Sequence, residues 1–129
     1  MNDETHLDCK IYVETPLERH ELLSAIGNLL SGSERVNTIY TSDLTIDVLY
    51  NSDRDEKHCK DFPDGFLFFR YCIEIYPVSG HTPESRKRII LEMLNYLWSQ
   101  SWPAVAACDY ENELPNNGGY KSPLGPWPK

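Results

Sequence analysis

The stretch Phe66 to Tyr76, FLFFRYCIEIY, limits what this chain can fold into more than any other, because it is long, apolar and alternating. Leu67, Phe69, Tyr71, Ile73 and Ile75 fall on one parity, and Phe66, Phe68, Arg70, Cys72, Glu74 and Tyr76 on the other. Successive strand residues face opposite sides, so the spacing predicts a central strand with one buried and one mixed face. Partners for that strand must come from the flanking segments.

Leu7 to Glu14 alternates and predicts a first strand. Thr15-Pro16-Leu17-Glu18 then reads as a capping box with proline at the first helical position. The first helix is expected from about Pro16 to Leu30, with Leu22, Leu23, Ile26, Leu29 and Leu30 as its buried stripe and Ser31-Gly32 as its stop. Val36 to Tyr40 suits a short extended lead-in, and Leu44 to Tyr50 a clear second strand. A polar connection, Asn51 to Gly65, leads into the central strand, and loops of that length are usually functional or disordered. Thr82-Pro83-Glu84 opens a second helix whose apolar positions, Ile89, Ile90, Met93, Leu94, Leu97 and Trp98, keep helical spacing to about Ser99. Ala104 to Tyr110 is a small-residue strand, suited to close packing under a helix.

This β-α-β-β-α-β order predicts an α+β fold, a ferredoxin-like sandwich: a mixed four-stranded sheet with two helices on one face. Strands one and three should lie side by side in the centre, with strand four beside strand one and strand two beside strand three. One domain is expected over residues 1–110, with 111–129 as an irregular tail docked on it. The 129-residue length suits a single core. No apolar run approaches a membrane span, and the first residues have none of the basic and apolar pattern of a signal peptide, so a cytoplasmic protein is expected. Four cysteines without C-x-x-C spacing point to reduced thiols rather than a disulfide framework.

The net charge of −8 is concentrated: the first 64 residues hold fourteen acidic against six basic side chains, and the rest hold six of each. Such a field repels nucleic acid and anionic membrane and speeds encounter with a basic protein. Two acidic stretches stand out as candidate partner-binding segments. One is the loop with Asp53, Asp55, Glu56, Asp61 and Asp64. The other is Asp109, Glu111 and Glu113, which alternate where the last strand leaves the sheet and are expected to form an acidic row. Catalysis by paired carboxylates needs one of them desolvated, and nothing local is apolar enough to do that. His58 and Cys59 have no second ligand pair, and the scattered histidines suggest no nucleophilic triad, so no metal, cofactor or catalytic residue is assigned.

The sheet face away from the helices has its own look-alike. Ile11-Tyr12-Val13 and Asp64-Gly65-Phe66-Leu67-Phe68-Phe69-Arg70-Tyr71 resemble the two RNP motifs of the RNA-recognition-motif family. That resemblance implies base stacking on Tyr12, Phe66 and Phe68. The sequence departs from the motif at Asp64, where the family has a basic residue, and at Leu67, where it has Gly or Ala. A small ligand-binding or enzymatic domain using the same face is a further alternative.

Across Phe62 to Tyr71 and Ala104 to Pro115, and in its small acidic α+β style, the chain resembles the cytosolic immunity proteins of bacterial polymorphic-toxin and contact-dependent inhibition systems. The resemblance implies binding to one cognate toxin domain, a nuclease being one possibility that suits an acidic inhibitor. It implies blockade of the toxin's active site or an adjacent surface, and no reaction of the chain's own.

Overall fold

The computed structural model describes residues 8–42, 44–60, 64–78 and 83–120. In chain order the elements are β1 (Cys9–Val13), α1 (Arg19–Leu30), β2 (Ser33–Arg35), β3 (Thr38–Tyr40), β4 (Leu44–Tyr50), β5 (Tyr71–Pro77), α2 (Pro83–Ser99) and β6 (Ala104–Ala107). They make an α+β fold with one six-stranded sheet, ordered β2-β3-β4-β5-β1-β6. Every pair is antiparallel, so the mixed four-stranded sheet expected from the sequence is corrected on both counts. The neighbour order expected for four strands is present as β6-β1-β5-β4, and the β2–β3 hairpin extends it at the β4 edge. No helix among the described residues is long and apolar enough to cross a membrane.

Parity divides the interior. Cys9, Ile11 and Val13 of β1, Ile46 and Val48 of β4, Ile73 and Ile75 of β5, and Ala104 and Ala106 of β6 form one cluster with Leu22, Leu23 and Ile26 of α1 and Ile90, Met93, Leu94 and Leu97 of α2. Both helices therefore cover the same sheet face. The small residues of β6 let α2 approach, and the Trp98 indole donates to the Ala104 carbonyl at 3.0 Å. A second, smaller cluster on the opposite face holds Cys59, Phe66, Phe69 and Val105, with Tyr12, Phe68, Ala107 and Tyr120 against it.

Helix α1 starts three residues later than its proline suggested. The Thr15 hydroxyl accepts from the Leu17 amide at 3.2 Å, a local turn rather than a helix cap. The reciprocal box forms instead between Glu18 and Glu21, with the Glu18 amide donating to Glu21 Oε1 at 2.8 Å. Ser31, at φ 55°, ends the helix in the left-handed conformation usually taken by glycine. The Thr82 cap expected for α2 lies outside the described residues.

The largest correction concerns the organising stretch itself. Only Tyr71–Pro77 is strand, and Asp64–Phe68 is a 3₁₀ turn. Leu67 is 39% exposed and Phe69 fully buried in the second cluster, so they do not continue the Tyr71-Ile73-Ile75 face. Gly65 lies so close to the preceding turn that a Cβ there would sit 2.7 Å from the Cys59 carbonyl oxygen. The Asn51 amide group clamps the turn, donating to the Leu67 carbonyl at 2.8 Å and the Phe69 carbonyl at 2.7 Å.

After β6 the chain wraps the sheet edge. Leu114 is buried in the helix-side core, Gly118 and Gly119 lie against the Ala106 and Ala104 carbonyls, and Tyr120 reaches Phe66 on the other face. The free edge of β6 is covered in this way, which blunts a surface that would otherwise pair with another strand. Residues 111–120 of the expected tail are thus docked, and Trp127 lies outside the described residues.

Candidate functional site

Among the described residues, the face of the sheet away from the helices is covered at one corner. Phe66 packs edge-on against Tyr12, ring centroids 5.3 Å apart, and against Tyr120 at 5.1 Å. Phe66 is 4% exposed and, like Phe68, sits in the 3₁₀ turn rather than on a strand. The expected stacking platform of Tyr12, Phe66 and Phe68 on adjacent strands is therefore corrected: one ring is enclosed and another stands off the sheet.

Beyond that corner the strand registers lay polar side chains in rows. Lys10 stands opposite Glu74, Glu74 opposite Asp47, and Asp47 opposite Thr38. Lys10 Nζ is 3.9 Å from Glu74, the Tyr76 hydroxyl donates to Glu74 at 2.8 Å, and the Thr38 hydroxyl donates to Asp47 at 2.7 Å. Two carboxylates directly opposed across strands repel, and the hydroxyl donors and Lys10 offset part of that cost. A neighbouring row runs Tyr12, Cys72, Leu49. Together with Lys10, Glu74 and the Tyr50 to Asp53 turn it lines a groove of about 260 Å³.

Burial and the adjoining Cys72 push the Tyr12 phenol up to about 12. The hydrogen bond to Glu74, with burial, does the same for Tyr76, also to about 12. Burial raises the Cys72 thiol to about 11. At neutral pH the groove therefore presents the neutral Tyr12 phenol and the protonated Cys72 thiol beside Glu74 and Asp53, with the Tyr76 phenol bonded to Glu74 next to it. That chemistry suits hydrogen bonding and charge complementarity, and it supplies no nucleophile.

The acidic residues singled out in the sequence divide by what they touch. Asp53 is exposed at the groove rim. Asp55 accepts from the Lys57 and His58 amides and lies 2.9 Å from His58 Nδ1, and the hydrogen bond from His58 holds its carboxyl down at about 2. Glu56 is 3.5 Å from Arg54 with its side chain 87% exposed. Asp61 and the side chain of Asp64 lie outside the described residues. Asp109 is exposed, whereas Glu111 caps the Cys108 amide at 3.1 Å and Glu113 pairs with Lys87 at 2.7 Å.

Strand β6 ends at Ala107, and Glu111–Glu113 is a 3₁₀ turn, so the expected alternating acidic row does not form. Nor do the two acidic segments meet. Arg54 reaches Glu14 just after β1, and Tyr110 reaches Asp8 just before it, which puts the segments at opposite ends of that strand. Sequence reasoning missed Asp47 and Glu74, although the polar parity of Leu44 to Tyr50 and Tyr71 to Pro77 carried the signal.

A second depression of about 440 Å³ is lined by Glu14, Thr15, Arg54, Arg70 and Trp102 among others, and its charged side chains pair with one another. Glu14 takes Arg54 at 2.7 Å and the Arg70 amide at 2.8 Å, and Arg70 also reaches Glu18 at 3.4 Å. These contacts tie the end of β1 to the long connection, a structural task. Among the described residues no group of three His, Cys, Asp or Glu side chains is placed to hold a metal ion. No family model, curated protein or solved structure matches the chain.

Proposed function

We propose that this chain is a toxin-neutralising binding protein of the immunity type, acting in the bacterial cytoplasm, without a reaction of its own. In this reading the sheet is a ferredoxin-like plan, β6-β1-β5-β4, enlarged by the β2–β3 hairpin. Its uncovered face receives a basic toxin domain, such as the substrate cleft of a nuclease. The observation that carries the reading is the Lys10-Glu74-Asp47-Thr38 row beside the Tyr12–Leu49 groove, with Asp53 at its rim. It is a wide, polar, carboxylate-bearing surface on a rigid scaffold, and it lies within a chain whose whole charge excess is acidic. A basic cleft is drawn to it by the same field that draws nucleic acid.

This groove, at about 260 Å³, is smaller than the roughly 300–1,000 Å³ of ordinary small-molecule sites, which weighs against a small ligand on this face. The enclosure of Phe66 and the net charge of −8 weigh against RNA stacking. The test is co-expression with the product of the neighbouring gene. Growth arrest by that product, relieved by this chain and less so by an Asp47→Asn/Glu74→Gln double variant, is the expected result. Absence of any neighbouring toxin, together with binding of single-stranded RNA at physiological salt, would overturn the reading.

A further inference from the structure

Cys9 and Cys108 are far apart in sequence and side by side in the fold. The β1–β6 register pairs Lys10 with Ala107, so the next position outward sets Cys9 against Cys108. The Glu14 amide donates to the Pro103 carbonyl at 2.9 Å, which fixes the alternation along this ladder. Positions 14/103, 12/105 and 10/107 are hydrogen-bonded pairs, and 13/104, 11/106 and 9/108 are the non-hydrogen-bonded pairs. At such pairs the Cα atoms are about 4.5 Å apart and the side chains closest. That separation lies inside the range a disulfide spans, roughly 4.4–6.8 Å. Both side chains belong to the helix-side core, where the Cys9 thiol donates to the Lys10 carbonyl at 3.7 Å and lies beside Cys108. Cys9 is 1% exposed, whereas Cys108 is half-buried and open to reagents.

We propose that Cys9 and Cys108 are a redox-active dithiol, which a low-molecular-weight disulfide such as glutathione disulfide converts into an intramolecular disulfide. Cys108 is the entry point. Its thiol is shifted toward the thiolate by the adjoining Cys9 and the Tyr110 amide, while the neighbouring Cys108 and burial keep Cys9 protonated. The Cys108 thiolate attacks one sulfur of the oxidant, forming a mixed disulfide and expelling one glutathione thiolate, which takes up a proton. Cys9 then loses its proton to a second departing thiolate and attacks the Cys108 sulfur, breaking the mixed disulfide. The two cysteine thiols are oxidised by two electrons in all, and one glutathione disulfide is reduced to two glutathiones. The bond would staple the start of β1 to the root of the segment that wraps β6. Cys59 and Cys72 lie in the opposite-face cluster and on β5, and have no such counterpart among the described residues.

The test equilibrates the folded protein with glutathione buffers of rising oxidised fraction, quenches with acid, alkylates in denaturant and reads mass and peptide map. Wild-type protein should lose two of its four alkylation sites and yield a peptide joining Cys9 to Cys108. Cys9→Ala should instead retain one glutathione on Cys108, and Cys108→Ala should leave Cys9 fully alkylated. Four alkylated thiols throughout, a bridge to Cys59 or Cys72, or a lasting glutathione adduct on wild-type Cys108 would overturn the proposal. The wild-type map decides the matter even if a Cys9 variant folds poorly.

Discussion

Phe69 shows how a residue can be foreseen as core and yet belong to a different core. Its apolarity and parity predicted burial against the helices, and it is fully buried, but among Cys59, Phe66 and Val105 on the other side of the sheet. Truncation to alanine leaves a cavity whichever face it serves. Phe69→Ala should therefore cost roughly 3–5 kcal/mol in urea unfolding, and a loss below about 1 kcal/mol would mean that the second cluster is not a packed core. The tyrosines give a pH signature. With folded values near 12 against about 10 for the unfolded chain, Tyr12 and Tyr76 contribute stability in full below pH 10. That contribution is lost as pH rises from 10 toward 12. Tyrosinate absorbance should show this pair ionising late, and Tyr76→Phe should remove part of the alkaline loss of stability. Simple titration of every tyrosine near 10 would contradict the Glu74 hydrogen bond.

Elements with a strong period were legible: α1, β4, α2 and the strand part of β5 appear close to where apolar spacing put them. The rest was hidden for local reasons. Phe66 to Arg70 is an apolar, aromatic run that reads as strand, but the closeness of Gly65 to the 58–59 backbone and the clamp by Asn51 depend on contacts that no local pattern encodes. The β2–β3 hairpin turns on Val36 and Asn37, and Val36 holds φ 50° although β-branched residues avoid that region. No Asn-Gly or Gly-Asn signal announced it. The tail was expected to dock but not to wrap an edge, and Gly119 makes that possible. Its φ of 121° and its contact with the Ala104 carbonyl leave no room for a Cβ. Gly119→Ala should unseat Tyr120 from Phe66 and speed hydrogen exchange at the β6 amides by tenfold or more, about 1.4 kcal/mol of local stability. Unchanged exchange would show that the edge is protected by something else.

At the scale of the molecule, composition pointed to an acidic binding surface, and linear clustering singled out carboxylates that the fold leaves on separate segments. Asp55, Glu111 and Glu113 are engaged as local caps and ion pairs. Asp47 and Glu74, well apart in the chain, are brought face to face by the β4–β5 register. Only strand pairing reveals that, which is why the candidate site was less legible than the fold. On the proposed function, a toxin domain docks on the uncovered sheet face. Truncating a desolvated charge at the centre of such an interface costs ~2–5 kcal/mol, and a rim charge such as Asp53 acts mainly on association rate. The most direct test is NMR mapping of the isotopically labelled protein titrated with the toxin domain. The amide signals of Lys10, Tyr12, Asp47, Leu49, Asp53, Glu74 and Tyr76 should shift or broaden together, with α1 and α2 silent. Perturbations confined to the outer surfaces of the two helices would contradict the assignment of this face as the docking surface.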